Sequence, residues 1–184
     1  WVGRRRTQAT LRRGLAALGP AVVSGLRFVC SDMWRAYLTV IALRVPQALH
    51  VLDRFHITMH LNQAVDQVRR AERGRLRGRP LAEKLKRMRW KLLRQGSRVR
   101  GRAKHRLYGL VRSKLATGRA WMLKETFQDF WRYRSLIWAS AFLDIWCTRA
   151  LRSRIEPMQK VARMLRAHEE LLMNWFRAKG ESSA

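Results

Sequence analysis

Two aspartates, each directly after a short apolar run, are the residues of this chain whose placement best suits catalysis. Asp32 follows LRFVCS, residues 26–31, and Asp53 follows ALHVL, residues 48–52. Carboxylates that converge at the carboxyl ends of parallel strands can bind Mg²⁺. Asp32 has an alternative role, because the helical pattern MWRAY begins directly after it and a carboxylate there can cap the first N–H groups. From these residues alone the cap is favoured, and the metal site stays open.

Asp53 also begins a group of polar residues in the next segment. Asp53, His56 and His60 are spaced three and four residues apart, which places them on one face of a helix. A Zn²⁺ site is one hypothesis, but no Glu stands between the two histidines as it does in zinc proteases. A structural His hydrogen-bonded to Asp53 is the favoured alternative.

Two cysteines give no sign of a metal or disulfide framework. Cys30 and Cys147 lie far apart, and neither has a second cysteine at metal-ligand spacing, which excludes a zinc finger. Both lie within apolar runs, so we expect reduced, buried thiols.

The elements that must position Asp32 and Asp53 form a strand–helix–strand unit. Residues 26–31 and 48–52 are short and apolar, as buried strands are, and the pattern between them predicts a helix that ends before Pro46. A strand, helix and strand at this spacing imply parallel pairing. An earlier helix is predicted from the cap candidate Thr7 to Leu18, where Gly19-Pro20 ends it.

All of the chain after residue 54 has helical periodicity. The predicted helical segments are residues 55–76, 81–93, 105–115 (ended near Gly118), 121–153 and 157–178. The aromatic residues between Trp121 and Trp146 have the spacing of a packed core, which favours core packing over base stacking, with Arg132 and Arg134 reaching solvent. The fold class is therefore α/β over residues 1–54, followed by a large all-α segment, residues 55–184.

The charge balance points to a polyanionic partner. Forty Lys and Arg stand against twelve Asp and Glu, a formal net charge of +28 over 184 residues. Nucleic acid is favoured over an anionic membrane surface as the partner of such a chain. No run of about eighteen apolar residues is present, so no transmembrane helix is expected.

Much of this charge falls in residues 69–114, which we call the basic block. It contains nineteen Lys and Arg against only Glu72 and Glu83. Arginines in flexible loops suit phosphate contacts, which set affinity rather than sequence choice. A solvated surface is the alternative, but solubility is better served by mixed charges. The predicted nucleic-acid-binding residues are Arg69, Arg70, Arg73, Arg75, Arg77, Arg79, Arg98, Arg100, Arg102, Lys104 and Arg106.

Several motifs together resemble a known family. They are SDMWRAY, the pattern P-x-A-x-x-V-x-D-R-F-H-I, the segment AVDQVRR, and the longer segments LVRSKLATGRAWMLKETFQDFWRYRS and ALRSRIEPMQKVARMLRAHEELLMNWF. They resemble the DDE transposases of bacterial insertion sequences, specifically the ISL3 type, over essentially the whole chain. The D-R-F-H and L-K-E-T-F-x-x-F-W segments are the more specific parts.

The resemblance implies a ribonuclease-H-like fold with an Asp–Asp–Glu triad that binds two Mg²⁺ or Mn²⁺ ions for DNA cleavage and strand transfer. Asp32, with Tyr37 five residues later, matches the family's second Asp, so the resemblance implies a metal-binding, catalytic role for Asp32. It implies a supporting role for Asp53, His56 and Tyr37. The other two triad members do not match positions in this chain, and Glu181 lacks the family context.

The resemblance therefore implies a partial ribonuclease-H-like core in residues 1–54. Residues 55–184 would be a helical insertion and the approach to the rest of the core. It implies insertion-sequence ends and target DNA as partners, a homo-oligomer in the complete enzyme, and a bacterial cytoplasmic, nucleoid-associated location. We expect the fragment to be inactive alone. The alternative function is a non-catalytic, basic nucleic-acid-binding helical protein.

Overall fold

The computed structural model describes the backbone of residues 2–182 and the side chains of residues 2–178. The chain divides into two compact units. The first comprises the residues up to His56 together with those from His168 onward, and the second comprises Ile57–Ala167.

The first unit contains the predicted strand–helix–strand motif. Strand β1 (Phe28–Ser31) pairs in parallel with β2 (Leu49–Leu52), and α3 (Arg35–Arg44) connects them. The register aligns Phe28 with Leu49 and Ser31 with Leu52, so both strands end at the same edge. This confirms the predicted parallel pairing.

Three further helices complete the first unit. They are α1 (Gln8–Leu18), α2 (Pro20–Ser24) and α11 (Glu169–Ser182). The Thr7 hydroxyl accepts a hydrogen bond from Thr10 N at the start of α1, as the cap prediction required. Gly19, with φ of 81°, ends α1, and Pro20 begins α2 because a first-turn position needs no N–H donor.

Helix α11 brings the C-terminal part of the chain back to the sheet. It packs on β2, where Asn174 Nδ2 donates to the backbone oxygen of His50 at 2.8 Å. Leu172, Met173 and Phe176 are buried on the same helix. The contacts group the residues from His168 onward with the sheet. The sequence-based division, which placed residues 55–184 in a helical insertion and the approach to the rest of the core, stays a prediction.

The second unit is helical throughout its described length. Its elements are the larger part of α4 (Arg54–Arg75), α5 (Pro80–Arg87), α6 (Arg89–Leu93), a 3-10 turn (Gly96–Arg98), α7 (Gly101–Arg112), α8 (Ala116–Phe127), a second 3-10 turn (Gln128–Arg132), α9 (Leu136–Arg152) and α10 (Glu156–Ala167). Helix α8 packs against α7 and α9, and α9 packs against α10. The two units together bear out an α/β part joined to a large helical part.

The structure corrects several predicted helix boundaries. The segment 81–93 is divided into α5 and α6, and α7 begins at Gly101 rather than at residue 105. The segment 121–153 is interrupted by the second 3-10 turn, and α9 begins anew where the Ser135 hydroxyl accepts from Trp138 N. The segment 157–178 is divided at His168. Gly118 lies inside α8 rather than ending α7, which stops at Arg112.

Gly118 has a packing role. A Cβ atom there would lie 2.5 Å from the backbone oxygen of Leu110 and 3.1 Å from Val111 Cα. Helices α7 and α8 therefore cross at a distance that only glycine permits without movement of the backbone.

The aromatic run forms much of the core of the second unit, as predicted. Phe127, Phe130, Trp131 and Trp146 are buried, and Phe127 lies 4.9 Å from the Trp146 ring, centroid to centroid. Edge-to-face pairs of this kind each contribute about 0.5–1.5 kcal/mol beyond the burial of their area. Trp138 is the exception, since 66% of it is exposed.

None of the helices described between residues 2 and 182 combines the length and the apolar character needed to cross a membrane.

Candidate functional site

Asp32 and Asp53 lie at the same edge of the sheet because each directly follows one of two parallel strands. The backbone N–H of Asp53 donates to Ser31 O at 2.8 Å, which extends the ladder to this edge. Asp32 Oδ1 accepts from Trp34 N at 3.0 Å, and Asp53 Oδ1 accepts from Phe55 N at 2.8 Å. The two carboxylates are thus held by equivalent turns, each bonding to the N–H two residues ahead.

This geometry modifies the cap hypothesis for Asp32. The residue before α3 is Trp34, and no side chain caps the first turn of that helix. Asp32 instead orders the three-residue connection, residues 32–34, between β1 and α3. Its Oδ1 atom accepts the hydrogen bond from Trp34 N, while its Oδ2 atom faces Arg6 and His56.

His56 lies between the two aspartates. Its Nδ1 atom is 2.7 Å from Asp53 Oδ2, and its Nε2 atom is 3.9 Å from Asp32 Oδ2. An imidazole with Nδ1–H donated to Asp53 presents Nε2 toward Asp32. The hydrogen bond between Asp53 and a structural His, favoured from the spacing, is therefore present.

Arg6 is a further member of this group that the sequence did not indicate. Its guanidinium contacts Asp32 Oδ2 and lies 5.2 Å from the Trp34 ring centroid and 5.9 Å from that of Tyr37. Tyr37 is half-buried, so its ring supports the cation that faces Asp32. An Arg in the segment WVGRRRTQ carries no spacing signal for such a contact.

The residues at this edge do not by themselves form a metal site. Mg²⁺ requires several oxygen ligands, and the oxygens of both aspartates already have partners. Asp53 accepts from Phe55 N and His56, while Asp32 accepts from Trp34 N and contacts Arg6. Within the part of the chain that the structure describes, no group of three or more His, Cys, Asp or Glu is placed to hold a metal ion. Neither this edge nor the spacing of His56 and His60 gives the zinc hypothesis any support within the described residues.

A cavity of about 470 Å³ opens beside Asp53. Its lining includes Phe28, Cys30, Leu52 and Trp175. Cys30 is exposed, which corrects the expectation of a buried thiol, whereas Cys147 is buried as expected. Partial burial, together with the nearby Asp53 carboxylate, raises the pKa of the Cys30 thiol.

The basic block presents most of its predicted binding residues to solvent. Arg73 is half-exposed, and the exposed residues are Arg70, Arg75, Arg77, Arg79, Arg98, Arg100, Arg102, Lys104 and Arg106. Arg69 is different, since only 5% of it is exposed, and its Nε and Nη2 atoms both donate to Asp66 Oδ1 at 2.9 and 2.7 Å. Because that guanidinium is buried in an ion pair, we remove Arg69 from the predicted surface.

Two adjacent residues of the L-K-E-T-F segment fix the loop that carries Arg98 and Arg100. The Lys124 ammonium donates to Leu92 O at 2.6 Å and Arg94 O at 2.9 Å, where α6 ends. Glu125 Oε2 accepts from Gly96 N at 2.6 Å, where the first 3-10 turn begins. Burial lowers the pKa of Lys124, and the Glu125 carboxylate opposes that effect.

Glu72, one of two acidic residues in the basic block, holds the start of α8. Its carboxylate accepts from Ala116 N at 2.8 Å, from Thr117 N at 2.9 Å and from the Thr117 hydroxyl at 2.6 Å. A carboxylate at a helix N-terminus satisfies the unpaired N–H groups and complements the helix dipole. In the sequence, the only indication of such a role is that Glu72 is one of two acidic residues among the nineteen Lys and Arg of the basic block.

Comparison with known proteins gives a consistent family assignment. A family model of DDE transposases of the ISL3 type, described as "Transposase", matches residues 1–184. The chain is 28% identical over 170 residues to the transposase for insertion sequence element IS1001 of Bordetella parapertussis. That match covers 91% of this chain and 42% of the relative, so the chain spans less than half of the relative's length. No solved structure matches.

The family match extends over both units, from the strand ends that carry Asp32 and Asp53 to the helix that returns to β2. The chain therefore belongs to the ISL3-type family of DDE transposases.

Proposed function

We propose that this chain is part of the catalytic domain of a transposase that cleaves DNA and transfers its strands with the help of Mg²⁺ or Mn²⁺. The observation that carries the proposal is the placement of Asp32 at the carboxyl end of β1, beside the Asp53–His56 pair, in a chain of this family. The two-stranded parallel sheet would be a portion of a ribonuclease-H-like core. The helices of residues 57–167 would be the insertion.

Asp32 is the residue that we assign to metal binding. Only 13% of its side chain is exposed, and a carboxylate held in one orientation by Trp34 N is suited to a ligand role. In this proposal Asp53 orients His56, and His56 in turn lies close to Asp32 Oδ2. Their contribution is to hold the position of the carboxylate.

The DNA contacts of the proposed enzyme would be made by the exposed part of the basic block. Its loops carry Arg77 and Arg79 between α4 and α5, and Arg98 and Arg100 before α7. Lys124 and Glu125 fix the second of these loops from beneath, so its arginines project from an anchored backbone. Phosphate contacts of this type favour binding without regard to sequence.

The test of the proposed site uses a transposase of the length of the Bordetella relative that contains this sequence. Asp32→Asn removes the charge while keeping the size of the side chain. We expect DNA cleavage to be lost and DNA binding to be nearly unchanged, as measured by a cleavage assay on insertion-sequence ends and by a gel shift. His60→Gln is a control at a histidine outside the pair. Cleavage that survives in Asp32→Asn would show that the metal assignment is wrong.

For the 184-residue chain by itself we propose that strand transfer does not occur, because Asp32 is the one residue that the family resemblance assigns to metal binding here and two ions need several carboxylates. A purified chain that joins DNA strands in Mg²⁺, and loses this activity in Asp32→Ala, would contradict the proposal.

A further inference from the structure

Helix α7 presents a continuous stripe of exposed residues that line a groove of about 410 Å³. Its members recur every three or four residues, and so share one face of the helix. They are Gly101, Lys104, His105, Tyr108, Gly109 and Arg112. On the opposite face, Leu107 and Leu110 are buried. The groove is therefore the outer surface of a helix that is anchored on its other side.

Glycine makes this groove accessible. A Cβ atom at Gly109 would meet no other atom within 4 Å, so the helix backbone there is open to a ligand. The same holds at Gly101, whose φ of 58° also suits glycine at the start of the helix. A bulky ligand can thus approach the backbone between the longer side chains.

Two of the residues that line the groove, Lys104 and Arg112, are cations. Helix α7, GRAKHRLYGLVR, contains no acidic residue. Lys104 and Arg112 lie two turns apart, roughly 12 Å along the axis from the rise per residue. Both side chains are exposed, which suits them to successive contacts with an anionic chain.

Tyr108 stands between these two cations. Its exposed fraction is 49%, and the Lys104 ammonium lies 5.9 Å from its ring centroid. A cation beside an exposed aromatic ring matches a phosphate with an adjacent base, because the ring stacks on the base while the cation meets the phosphate. In a duplex the faces of the bases are covered by their neighbours, so only an unpaired base can stack in this way.

We propose that the α7 groove binds a single-stranded segment of DNA, with phosphates on Lys104 and Arg112 and an unpaired base stacked on Tyr108. Gly109 leaves room for the sugar and the base at this point. The inference rests on the proposed function, and it adds that this transposase engages unpaired DNA through a surface of the helical unit.

The test compares the affinity of the 184-residue chain for a single-stranded oligonucleotide and for the matching duplex, by fluorescence anisotropy. We expect Tyr108→Ala to weaken single-strand binding about tenfold, in line with the usual contribution of one stacked base, with duplex affinity changed less than about twofold. Tyr108→Phe keeps the ring and should bind like the parent chain. Gly109→Leu should fill the groove and weaken single-strand binding while preserving the helix, because Leu is a better helix former than Gly.

Trp138→Ala is the matched control, since Trp138 is an exposed aromatic of α9 outside the groove. Circular dichroism verifies that each variant is folded. Equal losses for single-stranded and duplex DNA in Tyr108→Ala, a similar loss in Trp138→Ala, or tighter binding of single-stranded RNA than of DNA would each overturn the inference. Failure of the parent chain to bind either form of DNA would overturn the proposed function as well, whereas duplex binding without the Tyr108 effect overturns the inference alone.

Discussion

His50 is the residue whose burial gives the clearest expected dependence of folding stability on pH. It lies on β2 with 8% exposed, its Nε2 atom is 2.7 Å from the Ser31 hydroxyl, and burial lowers its pKa. The unfolded chain takes up a proton near the ordinary His pKa of about 6.5, and the folded chain resists it. The folded state is therefore at full stability, as far as His50 is concerned, above this pH, and loses stability as the pH falls below it.

We expect His50→Gln, which retains a polar side chain, to flatten the dependence of the free energy of unfolding on pH between 7.5 and 5. Urea unfolding at several pH values measures the slope. His105→Gln, at an exposed histidine, serves as the control. An unchanged slope in His50→Gln would contradict the role assigned to burial.

Gly118 and Gly109 are both helical glycines, but their surroundings are opposite. A Cβ atom at Gly118 would strike the backbone of α7, whereas one at Gly109 meets nothing. We expect Gly118→Ala to cost about 1–3 kcal/mol of stability, since backbone must shift to relieve the overlap. Gly109→Ala should instead gain about 0.5–1 kcal/mol from helix propensity. Thermal unfolding of the two variants provides the measurement, and destabilisation of equal size would contradict the close crossing.

At the candidate site, the sequence predicted the positions of the two aspartates but neither the contact of Arg6 with Asp32 nor the burial of Arg69. Asp32 and Asp53 were placed correctly at strand ends because apolar runs and their end points are local patterns. The contact between Arg6 and Asp32 joins distant positions and depends on how the N-terminal segment crosses the sheet edge. Arg69 was misassigned because charge alone does not reveal burial, although Asp66 stands one helical turn before it.

Among the elements, the loop before α7 depends on a pair of side chains from α8. Lys124 holds the carbonyl groups that end α6, and Glu125 holds the N–H group of Gly96. Lys124→Met keeps the length of the side chain but leaves those carbonyl groups without a donor. We expect a loss of about 1–3 kcal/mol, the usual cost of unsatisfied buried polar groups. Trypsin should also cleave faster between Arg94 and Arg102 because the loop is released.

Lys160→Met is the matched control for this element. Lys160 pairs with Glu156 on the surface, with 67% of its side chain exposed, and such pairs contribute little. Urea unfolding and peptide mapping of the digests compare the two variants. If Lys124→Met digests at the same rate and unfolds at the same urea concentration as Lys160→Met, the loop does not depend on Lys124.

Thr7 and Gly19-Pro20 marked both ends of α1 correctly, since these residues act on the local backbone, whereas Gly118 was wrongly taken as a helix end. The helix predicted from residue 81 begins one residue earlier, at Pro80, and both strands lie within the predicted apolar runs. The interruptions at residues 128–135 and at His168 contain no Gly or Pro. They follow from packing, as Phe130 and Trp131 turn into the core between α8 and α9. Tertiary contacts of that type cannot be recognised from the local sequence.

At the scale of the whole molecule, the helix–sheet order alone does not define which parts of the chain fold together. The α/β part and the helical part followed from the change of periodicity near residue 54. The return of α11 to β2 did not, because the hydrogen bond from Asn174 to His50 O spans 124 positions. The resemblance to a family implied only that residues 55–184 include the approach to the rest of the core, and no local pattern indicated that α11 packs on β2.

The net charge of +28 is also a property of the whole molecule, so the test of the DNA surface must separate the basic block from charge in general. Arg98, Arg100 and Arg102 are exposed around the anchored loop, and Arg149, Arg152 and Arg163 are exposed on α9 and α10. Replacing either set by Gln removes the same three charges. Long-range attraction should therefore weaken equally in both variants.

Direct phosphate contacts distinguish the two sets. A plot of log affinity for duplex DNA against log salt concentration loses about 0.9 in slope for each phosphate contact removed. We expect the slope to become shallower by such steps in the Arg98, Arg100 and Arg102 variant and to change little in the other. A flat plot for the parent chain would exclude the basic block as a phosphate-binding surface. Equal slopes in the two variants would mean that the affinity comes from total charge. The arginines of the anchored loop would then contact DNA no more than the exposed arginines of α9 and α10 do.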